Sequence, residues 1–174
     1  VMALVLVGCE QTSGGGSSTQ QTGILVSGEG KVTVAPDLAT LNLGIEAQEK
    51  TVQEAQTEAV TTMTALVASL KANGVAENDI QTTTYSIEVV TKWNEDTNEQ
   101  VTVGYKVTNT VTAKMRDMSK IGTIIDAAAE AGGNLTRISN PIFTVEDPTE
   151  YYTQARAKAM ADAKAKAEQM ASLA

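Results

Sequence analysis

The hydrophobic period of this chain switches repeatedly between that of a strand and that of a helix, and the order of the switches leaves few architectures open. Over residues 38–48, Leu41, Leu43, Ile45 and Ala47 take every second position, with Thr40, Asn42 and Glu46 between them. This is the alternation of a strand with one buried face. Over residues 51–73 the spacing lengthens, and Val52, Ala55, Ala59, Met63, Leu66, Val67 and Leu70 follow at three and four. That spacing predicts an amphipathic helix, opened by Thr51 with Glu54 three residues on and closed at Asn73-Gly74. Residues 80–93 and 100–115 return to alternation around a polar loop, a hairpin. Residues 119–131 repeat the helical period with Ile121, Ile124, Ile125, Ala128 and Ala129, and Gly132-Gly133 stops them.

Three further segments complete the pattern. Residues 24–34 (ILVSGEGKVTV) read as a strand broken by Gly28 and Gly30, where a bulge or bend is expected, and Pro36-Asp37 turns it into the strand that follows. Residues 135–145 read as one strand, with Pro141 marking an edge or kink. Asp147-Pro148-Thr149-Glu150 has the form of a helix start, and Ala155, Ala159, Ala163 and Ala167 carry that helix on at a spacing of four. The expected order is ββαββαβα, an α+β class with helices packed on an antiparallel sheet. Paired strands without βαβ crossovers argue against a nucleotide-binding crevice.

Composition narrows the chemistry. The chain has 174 residues, 42% of them apolar, enough for one domain with a core. Its 13 basic residues are scattered and outnumbered by 21 acidic ones, for a net charge of −8, which disfavours a nucleic-acid partner. There is no histidine, and Cys9 is the one cysteine. The usual soft metal ligands and the commonest general base are thereby missing, and no cofactor is implied.

Residues 1–7 are wholly apolar, Gly8-Cys9 follows, and residues 10–22 are rich in Ser, Gly, Gln and Thr. The order is that of a signal-peptide apolar region feeding a tether. Leu6-Val7-Gly8-Cys9 resembles the lipobox of bacterial lipoproteins, which implies a diacylglycerol on the Cys9 thiol and a membrane partner reached through that lipid. The competing reading is a buried strand whose cysteine is a small hydrophobe. On the lipoprotein reading, residues 1–8 are a signal-peptide remnant cut short before Val1, 9–23 are the lipidated cysteine and linker, and 24–174 are the folded domain. Glu10 stands where, by the same resemblance, Asp signals inner-membrane retention, so the periplasmic side of the outer membrane is favoured.

Three motifs carry a second resemblance: Val26-Ser27-Gly28-Glu29-Gly30-Lys31-Val32-Thr33-Val34-Ala35-Pro36-Asp37, Gly104-Tyr105-Lys106-Val107-Thr108-Asn109-Thr110-Val111, and Ala155-Arg156-Ala157-Lys158-Ala159-Met160-Ala161-Asp162-Ala163. In this order they resemble the SIMPL-domain family, which includes bacterial periplasmic and outer-membrane immunogenic proteins. The resemblance implies an extracytoplasmic, self-associating protein linked in some bacteria to oxidative-stress defence, with no family active site to carry over. It also implies further strands beyond Ala174.

No catalytic constellation emerges. Gly28-Glu29-Gly30 lacks the helix that a phosphate loop needs immediately after it. Glu29, Asp37 and Glu46 are candidates for paired carboxylates, and Glu95, Asp96 and Glu99 for a calcium loop, against the plainer reading of solvated acids. Tyr85, Trp93 and Tyr105 on the hairpin, with Tyr151 and Tyr152 opening the last helix, form either core or a self-association surface. The alanine stripe either packs within the chain or meets another subunit. Met63, Met115, Met118, Met160 and Met170 are core residues or sacrificial thioethers. The reading that results is a non-enzymatic, envelope-anchored, self-associating lipoprotein. Its alternative is a small-ligand binder or hydrolase using surface carboxylates and tyrosines.

Overall fold

The computed structural model describes residues 23–173, which fall into two compact units, one of residues 33–151 and one of residues 23–32 with 152–173. Cys9 and the tether lie outside the described residues. The larger unit runs β1 (Leu38–Glu49), α1 (Val52–Ala72), β2 (Ile80–Asn94), β3 (Glu99–Met115), α2 (Ile121–Gly132), β4 (Thr136–Ile138) and β5 (Ile142–Thr144), and α3 (Thr149–Leu173) follows. The class is α+β, as expected.

The five-stranded sheet has the order β2-β3-β1-β4, with β5 also on β1. All pairings are antiparallel. The register sets Leu41 beside Ala113, Leu43 beside Val111 and Ala47 beside Val107, so one face presents a continuous apolar surface. Onto it pack Ala55, Ala59, Met63, Leu66 and Leu70 of α1 and Ile121, Ile124 and Ala128 of α2. The other face carries Asn42, Gly44 and Glu46 of β1 beside Thr112, Thr110 and Thr108 of β3.

Local signals set the ends of α1. Thr51 and Glu54 form a reciprocal capping box. At the far end the Gly74 amide donates to Lys71 O at 3.0 Å and the Val75 amide to Leu70 O at 3.1 Å, a Schellman closure. Ser69 Oγ then donates to Ala127 O at 3.1 Å and ties α1 to α2.

Two expectations are corrected. Residues 24–34 are not a strand of the sheet, so the leading ββ of the expected order becomes a single β1. Both edges of β1 are already filled, by β3 on one side and by β4 and β5 on the other. Residues 135–145 form two short strands, broken where the Ser139 amide and Oγ both turn back to Asn42 O at 3.1 Å, just before Pro141.

The smaller unit shows what residues 24–32 do instead. They run extended along α3, and a Cβ on Gly28 would lie 1.9 Å from Ala159 O, one on Gly30 1.9 Å from Ala155 O. Only glycine permits that approach, so Gly28 and Gly30 serve close packing rather than a bulge. Ala155, Ala159 and Ala163 are the matching stripe, which settles their packing within the chain. Polar atoms of α3 complete the seam. The Glu29 amide donates to Asp162 Oδ2 at 2.8 Å. Lys158 and Lys166 donate to the carbonyls of Lys31 and Ser27 at 3.2 and 3.1 Å.

The Lys166 ammonium, and after it the Glu29 amide, hold the Asp162 carboxyl below its ordinary 3.8. A depressed carboxylate stabilises the folded state above its unfolded value, and the contribution is lost as pH falls through the lower folded value. The Glu29 amide proton shift is therefore expected to titrate with a midpoint below 3.8 in NMR spectra, and Asp162→Asn should abolish that step. In the larger unit, Leu43→Ala empties a fully buried site and should cost about 2–5 kcal/mol in urea unfolding.

Candidate functional site

β2 and β3 outrun the sheet. The β1–β3 ladder ends at Glu49 beside Tyr105, whereas the β2–β3 ladder continues to Asn94 beside Glu99. Beyond Tyr105 the hairpin is a two-stranded arm. Gly104 marks the departure point: a Cβ there would lie 2.6 Å from Glu49 O, so the chain leaving β1 crosses the hairpin backbone directly. At the tip, Asn94 Oδ1 accepts the amide of Asp96 at 3.0 Å and closes the turn.

The hairpin as a whole has a sided surface. The ladder shifts register at Thr82/Thr84, where the extra residue is Thr83 of β2, and at Val90/Thr91, where the extra residue is Val103 of β3. β2 thus alternates without interruption from Thr84 to its end, and Tyr85, Ile87, Val89 and Trp93 share one face. Tyr105 sits opposite Val89 on that face. Tyr85, Ile87, Val89 and Trp93 are 46%, 41%, 57% and 58% exposed. Of the five aromatic residues singled out in the sequence, the fold places Tyr85, Trp93 and Tyr105 on one face of the hairpin, and Tyr151 and Tyr152 stand in the first turn of α3. The contribution of Ile87 and Val89 went unrecognised, because alternation alone reads them as ordinary core.

The carboxylates do not assemble. Asp37 and Glu46 stand nine positions apart on one extended segment, roughly 30 Å at strand rise, against the under 10 Å that glycoside hydrolysis requires. Each is also occupied. Asp37 Oδ1 accepts the Glu146 amide at 2.8 Å, and Glu46 pairs with Arg137 at 2.9 Å. Glu29 belongs to the smaller unit. Among the described residues no group of three or more His, Cys, Asp or Glu side chains is arranged to hold a metal ion.

A cluster that sequence reasoning missed lies at the far end of the sheet from the arm. Arg116 Nε donates to Glu146 Oε2 at 2.7 Å, and its terminal nitrogens reach both Asp79 and Glu146. It borders a cavity of about 300 Å³ lined by Val75, Lys114, Met115, Lys120 and Ile124. The two carboxylates raise the Arg116 pKa, and the guanidinium lowers that of Glu146. With donors spent on two carboxylates, Arg116 clamps three segments of the fold rather than binding an anion. The methionines divide: Met63 and Met115 are buried, and Met160 and Met170 are exposed on α3.

Residues 24–174 match the family model SIMPL, protein of unknown function (DUF541). The chain belongs to the SIMPL family. It is 33% identical over 157 residues to the 26 kDa periplasmic immunogenic protein of Brucella melitensis, covering 88% of this chain and 62% of that protein. It is 26% identical over 148 residues to the uncharacterized protein YggE of Escherichia coli K12, covering 85% of this chain and 58% of that one. The SIMPL chain thus spans about three-fifths of these relatives' length. A crystal structure of AtUAH in complex with (S)-hydroxyglycine overlaps 71% of this chain and 34% of its own at 13% identity, with a TM-score of 0.39, too slight a likeness to carry an argument.

Arg116→Ala should leave Glu146 beside the like charge of Asp79. Its carboxyl is then expected to titrate at a higher pH than in the parent protein, as followed by side-chain NMR.

Proposed function

We propose that this SIMPL domain is an extracytoplasmic envelope module that works by self-association rather than by catalysis, held to a membrane by lipid on Cys9. The observation that carries the association is the apolar face that β2 shows from the edge of the sheet out onto the arm. Ile87 and Val89 on the outer strand of the sheet, and Trp93 on the two-stranded arm, a structure marginal alone in water, are exposed to solvent. A contiguous apolar patch of that kind marks an interaction surface. The periplasmic relative supports the location. The lipobox-like Leu6-Val7-Gly8-Cys9 supports the anchor, several acyl chains at about 0.8 kcal/mol per buried CH₂ being enough to retain a soluble domain.

Light scattering on the domain from Gln11 onward decides the association. A mass at tens of micromolar above that of one copy is expected, and a strict monomer refutes it. For the anchor, Cys9→Ala should abolish acyl labelling and release the protein from membranes, and continued pelleting of that variant rules the lipid out.

A second reading, oxidant scavenging, is favoured by the exposure of Met160 and Met170. Mild peroxide should convert these two to sulfoxides well before the buried Met63 and Met115. Equal rates for all four would remove the reading.

A further inference from the structure

β2 borders the sheet on its outer side. β3 fills one of its edges, and no strand among the described residues fills the other. Its fifteen residues, Ile80–Asn94, make a long edge. Natural edges of this length are blunted by lysine, proline or bulges. Here the two register shifts fall at Thr82/Thr84 and Val90/Thr91, and Lys92 sits beyond the second. Between the shifts, residues 84–90 pair with 110–104 without a break and contain no Lys, Pro or Gly. The protection stands at both ends of an unprotected run.

That run is self-complementary about its midpoint, Ile87. A second copy laid antiparallel with Ile87 opposite Ile87 sets Tyr85 against Val89 and Val89 against Tyr85, all on the apolar face. On the other face Ser86 meets Glu88, and Thr84 meets Val90. Centring on Glu88 would oppose two carboxylates, each of which already holds Lys106 of its own β3 at 2.9 Å, and centring on Ser86 would bring the bulged Thr83 against Val89. In a chain of net charge −8, the favoured alignment sets the run's single charge against a hydroxyl.

We infer that residues 84–90 of β2 pair with the same residues of a second copy across a two-fold axis at Ile87, joining two sheets edge to edge. This rests on the self-association proposed above and specifies its surface. Main-chain amides and carbonyls supply the bonding, and the Tyr85, Ile87 and Val89 side chains supply the register.

Sedimentation equilibrium on the protein and three variants tests it. Ile87→Lys opposes two ammonium groups at the axis, and the dissociation constant should rise at least about tenfold. Ser86→Lys places a lysine against each partner Glu88, and the constant should fall roughly fivefold, an effect lost in 1 M salt. Ile87→Cys in a Cys9→Ala background should close into a disulfide-linked dimer on mild oxidation. Ile87 is 41% exposed, so these changes leave the core intact, and circular dichroism checks this. If Ile87→Lys nonetheless unfolds, the other two variants decide. An unchanged association in the variants, with the parent still associating, overturns this register and leaves self-association standing. A monomeric parent overturns both.

Discussion

Register in this fold is fixed where a strand has a buried face, and β1 has the most deeply buried one. Leu41, Leu43, Ile45 and Ala47 are fully enclosed, so a slip of one residue would turn the whole set to the open face. β3, β4 and β5 all pair with β1 and inherit its register, and β3 passes it on to β2. Past Glu49 that constraint ends. The second register shift and the two-stranded arm fall at or beyond that point, while the apolar face of β2 begins before it, where Tyr85 and Ile87 lie opposite Asn109 and Val107 and the Tyr85 hydroxyl accepts from Gln56 Nε2 of α1 at 3.4 Å. Beyond Glu49, no third strand among the described residues holds the arm's alternation in place.

What was legible in the sequence was local. The capping box at Thr51 and Glu54 and the stop at Asn73-Gly74 are contacts within one or two turns of helix, and both ends of α1 fall where they direct. The hairpin is equally local. The placement of residues 24–34 is not, because Gly-x-Gly in an alternating run suits a bulged strand and a segment pressed on a helix backbone alike. The contacts that separate the two are 133 residues away, between the Glu29 amide and Asp162. Pro141 did announce an interruption in residues 135–145, but not that both halves would return to β1. For the surface, the aromatic residues were visible, whereas their common face depends on the second extra residue falling on β3 rather than β2, which periodicity does not encode.

Extended backbone needs partners for its amides and carbonyls, and this chain meets the need in two ways. Residues 24–32 receive side chains: Asp162, Lys158 and Lys166 of α3 bond to main-chain atoms that a neighbouring strand would otherwise engage. The glycines make this workable by letting the segment approach closely enough for short side-chain reach. β2 has no such helper on its outer edge. No strand among the described residues pairs with that edge, and its outward main-chain groups offer a strand-shaped surface to a chain able to supply the complement.

The two borders of the sheet are unequal, and the inequality limits what edge pairing can build. Opposite β2 lies a border made of β4 and β5, three residues each, interrupted around Pro141. Such a border presents too short a ladder to recruit another strand, and proline removes a donor from its middle. If both borders were long and regular, copies could add indefinitely and the product would be a fibre. Among the described residues β2 is the one long border, so a contact that opposes β2 to β2 uses that border on each copy, and addition through it stops at two. Any larger assembly must then draw on a different surface, and the exposed tip of the arm, with Trp93 just past the paired run, is placed to supply it without competing for the same main-chain groups.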